Sequence, residues 1–170
     1  MKMTIRIAGT EFSLKNRAYE IYIQGCSRNC PGCQNPTTHS FSQGRVVEIS
    51  QFLNDLYKKI KPFIEDGLIQ RIFVSGGDLL CQNKRVIEEF SDELLYHFHN
   101  LELWLFTGAE EEEIPNWIWW YFDVVKCGRY KEELRTPDGT FPASDNQKLI
   151  LGEGFDLKDD LDFMGEIKWR

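Results

Sequence analysis

No stretch of this sequence is long and apolar enough to cross a bilayer, because its hydrophobic runs break well short of the roughly 18–20 residues a membrane helix needs. The opening MKMTIRIAGTEFSLKNR brings in polar residues too early and too often for a signal-peptide core. A soluble, intracellular protein of the cytoplasm is therefore expected, without a membrane role. Basic residues are in deficit, 20 against 27 acidic ones, for a formal net charge of −7. Phosphate contacts want a basic surface, so a general nucleic-acid binder is set aside, although a local basic pocket is not. Internal repeats, low-complexity tracts and domain linkers are also absent. Residues 1–170 read as a single domain, large enough to bury a core without disulfide staples.

What is present is a concentration of sulfur. Three of the five cysteines, Cys26, Cys30 and Cys33, fall within eight residues in a C-x3-C-x2-C pattern. The surrounding YIQGCSRNCPGCQNPTT is built from glycine, proline and polar side chains, so the thiols are not there to fill a core. An odd cysteine count and so tight a cluster make a poor disulfide framework. Zinc is one occupant to consider, with Cys81, Cys127 or His39 as fourth ligand, but zinc sites usually draw on two separated pairs. A redox dithiol at Cys30–Cys33 has only Pro31-Gly32 to support it. An iron–sulfur cluster suits three thiolates on one loop, and a missing fourth thiolate leaves one iron open to another ligand. Cys81 and Cys127 read as small buried hydrophobes or, alternatively, as an auxiliary redox pair.

Hydrophobic periodicity organises the rest. A strand candidate at Ile5–Ala8 is followed by RAYEIYIQG, which alternates around Tyr19, Ile21 and Ile23. ISQFLNDLYKKIKPFIEDG has helical spacing, with Ser50 as N-cap and Gly67 as stop. QRIFVSGG, LELWLFTG and YFDVVKCG read as further strands, and NKRVIEEFSDELLYHF as a second helix. The acidic run Glu110–Glu113 is expected to open a third helix, where negative charge complements the dipole. Alternating strands and helices predict an α/β fold with a largely parallel sheet. Ligands of such folds gather beyond the carboxyl ends of the strands, and GCSRNC, SGGD, FTG and KCGRY all fall there.

These segments, in this order, resemble the radical S-adenosylmethionine superfamily, and within it the activating enzymes of anaerobic ribonucleoside-triphosphate reductase. The likeness rests on GCSRNCPGCQNPTT, VSGGD at Val74–Asp78, LFTG at Leu105–Gly108, DVVKCGRYKEEL at Asp123–Leu134 and SDNQKLI at Ser144–Ile150. The resemblance implies a partial, open βα barrel of about five or six mainly parallel strands, since a full eight-stranded barrel takes about 250 residues. It implies a [4Fe-4S] cluster on Cys26, Cys30 and Cys33, with S-adenosylmethionine on the fourth iron. Gly76, Gly77 and Asp78 would then meet the methionine amino group. Thr107 would line the adenosine pocket, and Asn146 and Gln147 would offer polar atoms to adenine or ribose. The implied partners are the glycyl radical loop of the reductase large subunit and a flavodoxin- or ferredoxin-type electron donor. Reductive cleavage of the sulfonium would yield the radical that takes a hydrogen from that glycine. Another protein or peptide substrate, or a non-catalytic metal scaffold, are the alternative readings.

The residue types admit plainer roles as well. Gly76-Gly77-Asp78 also fits a simple turn, Thr107 a strand cap, and Asn146-Gln147 a surface pair near a final strand. Arg129 fits a carboxylate or partner contact or a solvated side chain, and Tyr130, Trp117, Trp119 and Trp120 fit core or interface. His97 and His99, near a helix end, need no special role. Two positions depart from the family pattern. Leu79 stands where proline usually follows the acidic residue, and no aromatic flanks Cys33, so shielding must come from elsewhere.

Overall fold

In the computed structural model, which describes residues 2–138, 141–157 and 166–170, one mixed sheet organises the chain. Its strands are β1 (Thr4–Ser13), β2 (Ala18–Ile23), β3 (Arg45–Glu48), β4 (Arg71–Gly76), β5 (Glu102–Phe106), β6 (Val124–Cys127), β7 (Lys148–Leu151) and β8 (Glu166–Trp169). Their spatial order is β3-β1-β2-β4-β5-β6-β7-β8. β2, β4, β5 and β6 run parallel, β1 is antiparallel to both β2 and β3, and β7 is antiparallel to β6 but parallel to β8. The α/β expectation holds, and the described sheet has eight strands where five or six were expected.

The extra strands have little sequence signal of their own. β1, expected at Ile5–Ala8, extends through the polar Gly9–Ser13, which pairs with β2 and stays solvated. β3 and β8 lie at the sheet edges, where few side chains are buried and apolar alternation is not required. The central strands show the opposite pattern. All but the last residue of β4 are buried, as expected for a strand covered on both faces.

Helices α1 (Ile49–Glu65) and α2 (Lys84–Phe98) cover one face. Leu53, Leu56 and Ile60 of α1 and Ile87, Phe90 and Leu94 of α2 pack on Ile21, Ile23, Ile72, Val74, Leu103, Leu105 and Val125. The other face carries a smaller core of Ala18, Phe73, Trp104, Val124, Leu149 and Leu151, against which Phe106, Phe141, Phe155, Leu157 and Ile167 pack. α1 begins one residue before Ser50, with Glu48 at the N-cap, because the Ile49 amide bonds the Met3 carbonyl across the β1–β3 ladder. Gly67 follows the helix with a positive φ of 73°, as a helix stop requires.

The expected third helix does not form. Glu111–Glu113 and Asn116–Trp120 are two short 3-10 turns separated by Ile114-Pro115. Proline restricts the residue before it and cannot continue the first turn's hydrogen bonds. The acidic run ties chain segments together instead. Glu111 accepts from Lys148 and Lys168 at 3.3 and 3.0 Å, and a Glu110 oxygen accepts the Arg129 amide at 3.3 Å. No helix among the described residues is long and apolar enough to cross a membrane.

Phe90 is fully buried in the helix-side core, on the sheet face opposite the cavity described below. Phe90→Ala should cost about 3–5 kcal/mol of stability. Urea denaturation of the cluster-free chain measures that loss.

Candidate functional site

Beyond the carboxyl ends of the four parallel strands lies a cavity of about 350 Å³. Cys26, Cys30 and Cys33 all line it, as do Gly76, Gly77, Asp78, Thr107 and Gln147. Eight of the nine residues singled out from the sequence therefore share one space.

The cysteine loop leaves β2 and is closed at its base by its own backbone. The Gly25 amide donates to the Thr38 carbonyl at 2.8 Å, and the Cys26 amide to the His39 carbonyl at 3.0 Å. Buried Gln24 fastens the returning chain from inside, its amide nitrogen donating to the carbonyls of Thr37 (3.0 Å) and Ser40 (2.7 Å). A polar side chain so deeply buried needs partners of this kind. The three thiols themselves stay half-exposed.

Asp78 joins the loop to the sheet. Its side chain is 1% exposed, and its partner Arg28, between the first two cysteines, is 13% exposed. Arg28 Nε donates to Asp78 at 2.7 Å. Thr107 Oγ1 donates at 2.8–2.9 Å, the Gly108 amide at 3.0 Å and the Leu80 amide at 2.9 Å. A carboxylate has about four lone-pair sites, so Asp78 is essentially saturated by its own chain. These bonds fix the cysteine loop against the ends of β4 and β5. Thr107 is likewise occupied, since its hydroxyl also accepts the Ala109 amide at 3.0 Å. Arg28 was not singled out from the sequence, and only its place between two cysteines could have flagged it.

Gly76 and Gly77 are demanded by neighbouring backbone. Gly76 has φ +95°, and a Cβ there would lie 2.8 Å from the Ile23 nitrogen and the Tyr22 Cα. A Cβ on Gly77 would lie 2.5 Å from the Gly25 carbonyl oxygen. The glycine pair thus lets the end of β4 press against the end of β2, where the cysteine loop starts. Leu79 is buried in the helix-side core at the start of a 3-10 turn that Asp78 caps.

Lys126 is the cation that sequence inspection passed over. It points from β6 into the cavity, with Nζ 5.5 Å from the Phe106 ring centroid. Burial pushes its ammonium down to about 8, partly offset by Cys127, Asp78, Cys33 and Cys30. Its position inside strand β6, flanked by buried Val125 and Cys127, was the available signal. On the opposite wall, Glu20 of β2 has its carboxyl pushed up, chiefly by burial. Phe106, Phe141, Tyr22 and Tyr130 supply the aromatic walls that the cysteine loop lacks.

Gln147 is buried, donating to the Gly128 carbonyl at 3.0 Å and accepting the Ser144 amide at 3.2 Å. Asn146 is the exception among the expected site residues, since it does not line the cavity. Its amide nitrogen donates to the Arg129 carbonyl at 2.9 Å, which turns it toward the end of β6. The two remaining cysteines part company. Cys127 is buried in the helix-side core, as a small hydrophobe would be. Cys81 is half-exposed, beside Cys26. Hydrogen bonding between these two thiols pushes Cys26 up and Cys81 down to about 6.

The donor arrangement tests which metal group fits. A single zinc ion with Zn–S bonds of about 2.3 Å draws its thiolates within about 4 Å of one another. Among the described residues, the one group of three possible donors within 4.8 Å is Cys26, Asp78 and Cys81. It contains just one of the three motif thiols, and its aspartate is already saturated. Cys26, Cys30 and Cys33 instead line one cavity without closing to single-ion spacing. That spread suits a multi-iron cluster, whose thiolates bind different irons.

Residues 16–150 match the 4Fe-4S single cluster domain family, and the chain belongs to it. Its relatives narrow the comparison. It is 29% identical over 131 residues to the anaerobic ribonucleoside-triphosphate reductase-activating protein of Enterobacteria phage T4, covering 76% of this chain and 80% of that one. The proteins of that name from Vibrio cholerae and Escherichia coli K12 are each 26% identical, covering 76% and 75% of this chain and 84% and 83% of theirs.

Two consequences are measurable. Asp78→Ala removes one partner of a buried ion pair and should cost about 3–5 kcal/mol in urea denaturation of the cluster-free chain; a loss below about 1 kcal/mol, typical of exposed pairs, would contradict the anchoring role. Lys126→Met should stabilise the cluster-free chain at neutral pH. The Lys126 ammonium is disfavoured in the folded state, so its cost is full below about pH 8. That cost fades as pH rises toward the ordinary lysine value of about 10.4, where the unfolded chain also loses the proton. The gap between variant and parent should narrow across that window in denaturation curves.

Proposed function

We propose that this chain is a radical S-adenosylmethionine activase that generates the glycyl radical of anaerobic ribonucleoside-triphosphate reductase. The observation that carries the reading is the meeting of three half-exposed motif thiols with the carboxyl ends of four parallel strands in one cavity. The family membership and the names of the relatives point the same way.

Cys26, Cys30 and Cys33 would hold the [4Fe-4S] cluster, leaving one iron for the amino and carboxylate groups of S-adenosylmethionine. When bound, these groups supply an electron transfer that splits the sulfonium into methionine and a 5'-deoxyadenosyl radical, which takes hydrogen from the target glycine. The chain's own residues bind and orient. Gly76 and Gly77 would present backbone to the methionine amino end, with Asp78 and Thr107 fixing that backbone in place. Lys126 would offer positive charge to the carboxylate, a favourable pairing in a partly desolvated cavity. Gln147 and the walls of Phe106 and Phe141 would border the adenosine. Asn146 would act through the Arg129 backbone rather than on the nucleoside.

Both helices lie on one face of the sheet, which supports a partial, open barrel of the radical S-adenosylmethionine type. The less covered face would admit the glycine loop of the reductase large subunit, whose docking would exclude water and stray hydrogen donors. Residues 1–170 would work as one domain in the cytoplasm, with a flavodoxin- or ferredoxin-type protein delivering the electron.

The test is anaerobic. The chain is reconstituted with iron and sulfide, reduced with dithionite and given S-adenosylmethionine, and 5'-deoxyadenosine is quantified against a Cys30→Ala control. Product from the parent and none from the control is expected, followed by a glycyl radical signal in electron paramagnetic resonance once the reductase is added. A full, reducible cluster that yields no 5'-deoxyadenosine with the reductase present would overturn the reading. Product without a glycyl radical would overturn only the partner.

A further inference from the structure

Cys81 has no place in the proposed chemistry, yet it sits against it. Its sulfur lies within 4.8 Å of the Cys26 sulfur. Ser27 Oγ donates to Cys81 Sγ at 3.4 Å, so the residue after the first motif cysteine holds the Cys81 thiol against the loop. Cys81 closes the 3-10 turn Leu79–Cys81, which follows the SGGD segment and is fixed by the Cys81 amide on the Asp78 carbonyl at 3.1 Å. Both thiols are half-exposed, so small oxidants reach them. Cys81 does not line the cavity that Cys26, Cys30 and Cys33 share, which makes it a poor fourth ligand.

We propose that Cys26 and Cys81 form a disulfide when the cluster-free chain meets a peroxide, and that this bond is a reversible off-state. In the first step one thiolate attacks a peroxide oxygen. The O–O bond breaks, the sulfur becomes a sulfenic acid, and the departing hydroxide takes up a proton to become water. The second thiolate then attacks the sulfenic sulfur. The S–S bond forms, the S–O bond breaks, and a second water leaves. Two thiols are oxidised and one hydrogen peroxide is reduced to two waters. A dithiol reductant reverses the bond by exchange through a mixed disulfide. While it stands, Cys26 cannot bind iron, so the loop cannot be reloaded. Cys81 also shields Cys26 from over-oxidation to sulfinic acid, which a dithiol does not reverse. That consequence for loading rests on Cys26 being a cluster ligand, whereas the disulfide rests on the geometry alone.

The full-length cluster-free chain, reduced and freed of reductant, is treated with stoichiometric hydrogen peroxide. Remaining thiols are capped with N-ethylmaleimide, and the chain is digested without reduction for mass spectrometry. Two of the five thiols should stop reacting, and the linked peptides should be those of Cys26 and Cys81. Dithiothreitol should restore iron uptake to the oxidised parent. Given a second equivalent of peroxide, Cys81→Ser should recover less than the parent, with Cys26 sulfinic acid in its peptide map. A map dominated by Cys30–Cys33, or by any other pair with Cys81 alkylated, would overturn the inference even if the reduced chain loads its cluster normally. A reduced chain that never takes up iron, yet shows the Cys26–Cys81 link, would instead fail the functional reading and leave the disulfide standing.

Discussion

A buried negative charge holds the rim together. Asp78 is almost inaccessible to water, and an isolated carboxylate there would carry a large desolvation cost. It is tolerable because donors arrive from its own turn, through the Leu80 amide, and from two segments distant in sequence: Arg28 in the cysteine loop, and Thr107 with the Gly108 amide beyond β5. None of those segments can move away without leaving the charge poorly satisfied. The loop bearing three thiols is thereby registered against the ends of two strands. Arg28 packs so closely on Gly108 that a Cβ there would lie 2.6 Å from its Cδ, which adds a steric lock to the electrostatic one.

The same constraint explains how the glycine pair should be understood. On sequence alone, Gly76 and Gly77 look like room left for a ligand. In the fold, that room is filled by the backbone of β2 and Gly25, and the Gly77 amide donates to the Ile23 carbonyl at 2.7 Å. Glycine is needed because two strand ends must touch before a shared rim exists. Asp78 follows directly from that contact, its amide bonded to the Gly25 carbonyl at 3.0 Å, so its carboxylate points where Arg28 can reach it.

Legibility in the sequence followed burial. β4 and β5 and both helices were readable because cores on two faces force long apolar runs or a clear helical period. β3 and β8 were not, because edge strands need little apolar surface, and the acidic run misled because its charges serve ion pairs across the sheet rather than a helix dipole. The cysteine motif was legible because a polar, proline-containing loop gives sulfur no core to fill. Asp78 was legible as a residue of the rim, but the partners that saturate it come from positions 28 and 107–108, and a local motif carries no information about them. Lys126 was hidden for a related reason: in a strand, one residue in two faces inward, and nothing local says which side holds the cavity.

The division between finished and unfinished groups at this rim has a physical logic. Asp78, Thr107 and Gln147 face the cavity, yet their polar atoms are already bonded to the chain, so a ligand need not order them on arrival. Preorganised groups of this kind lower the reorganisation that accompanies binding. The cysteines are in the opposite condition: half-exposed, attached to a loop fastened at its base, and lacking the close spacing of a completed single-ion site. Sulfur that must accept a metal group has to remain reachable, and reachable thiols are also the ones most open to oxidation. The rigid part of the site is therefore where the protein has already bonded to itself. Its vulnerable part is the set of reachable thiols, and Cys81 stands beside one of them, Cys26.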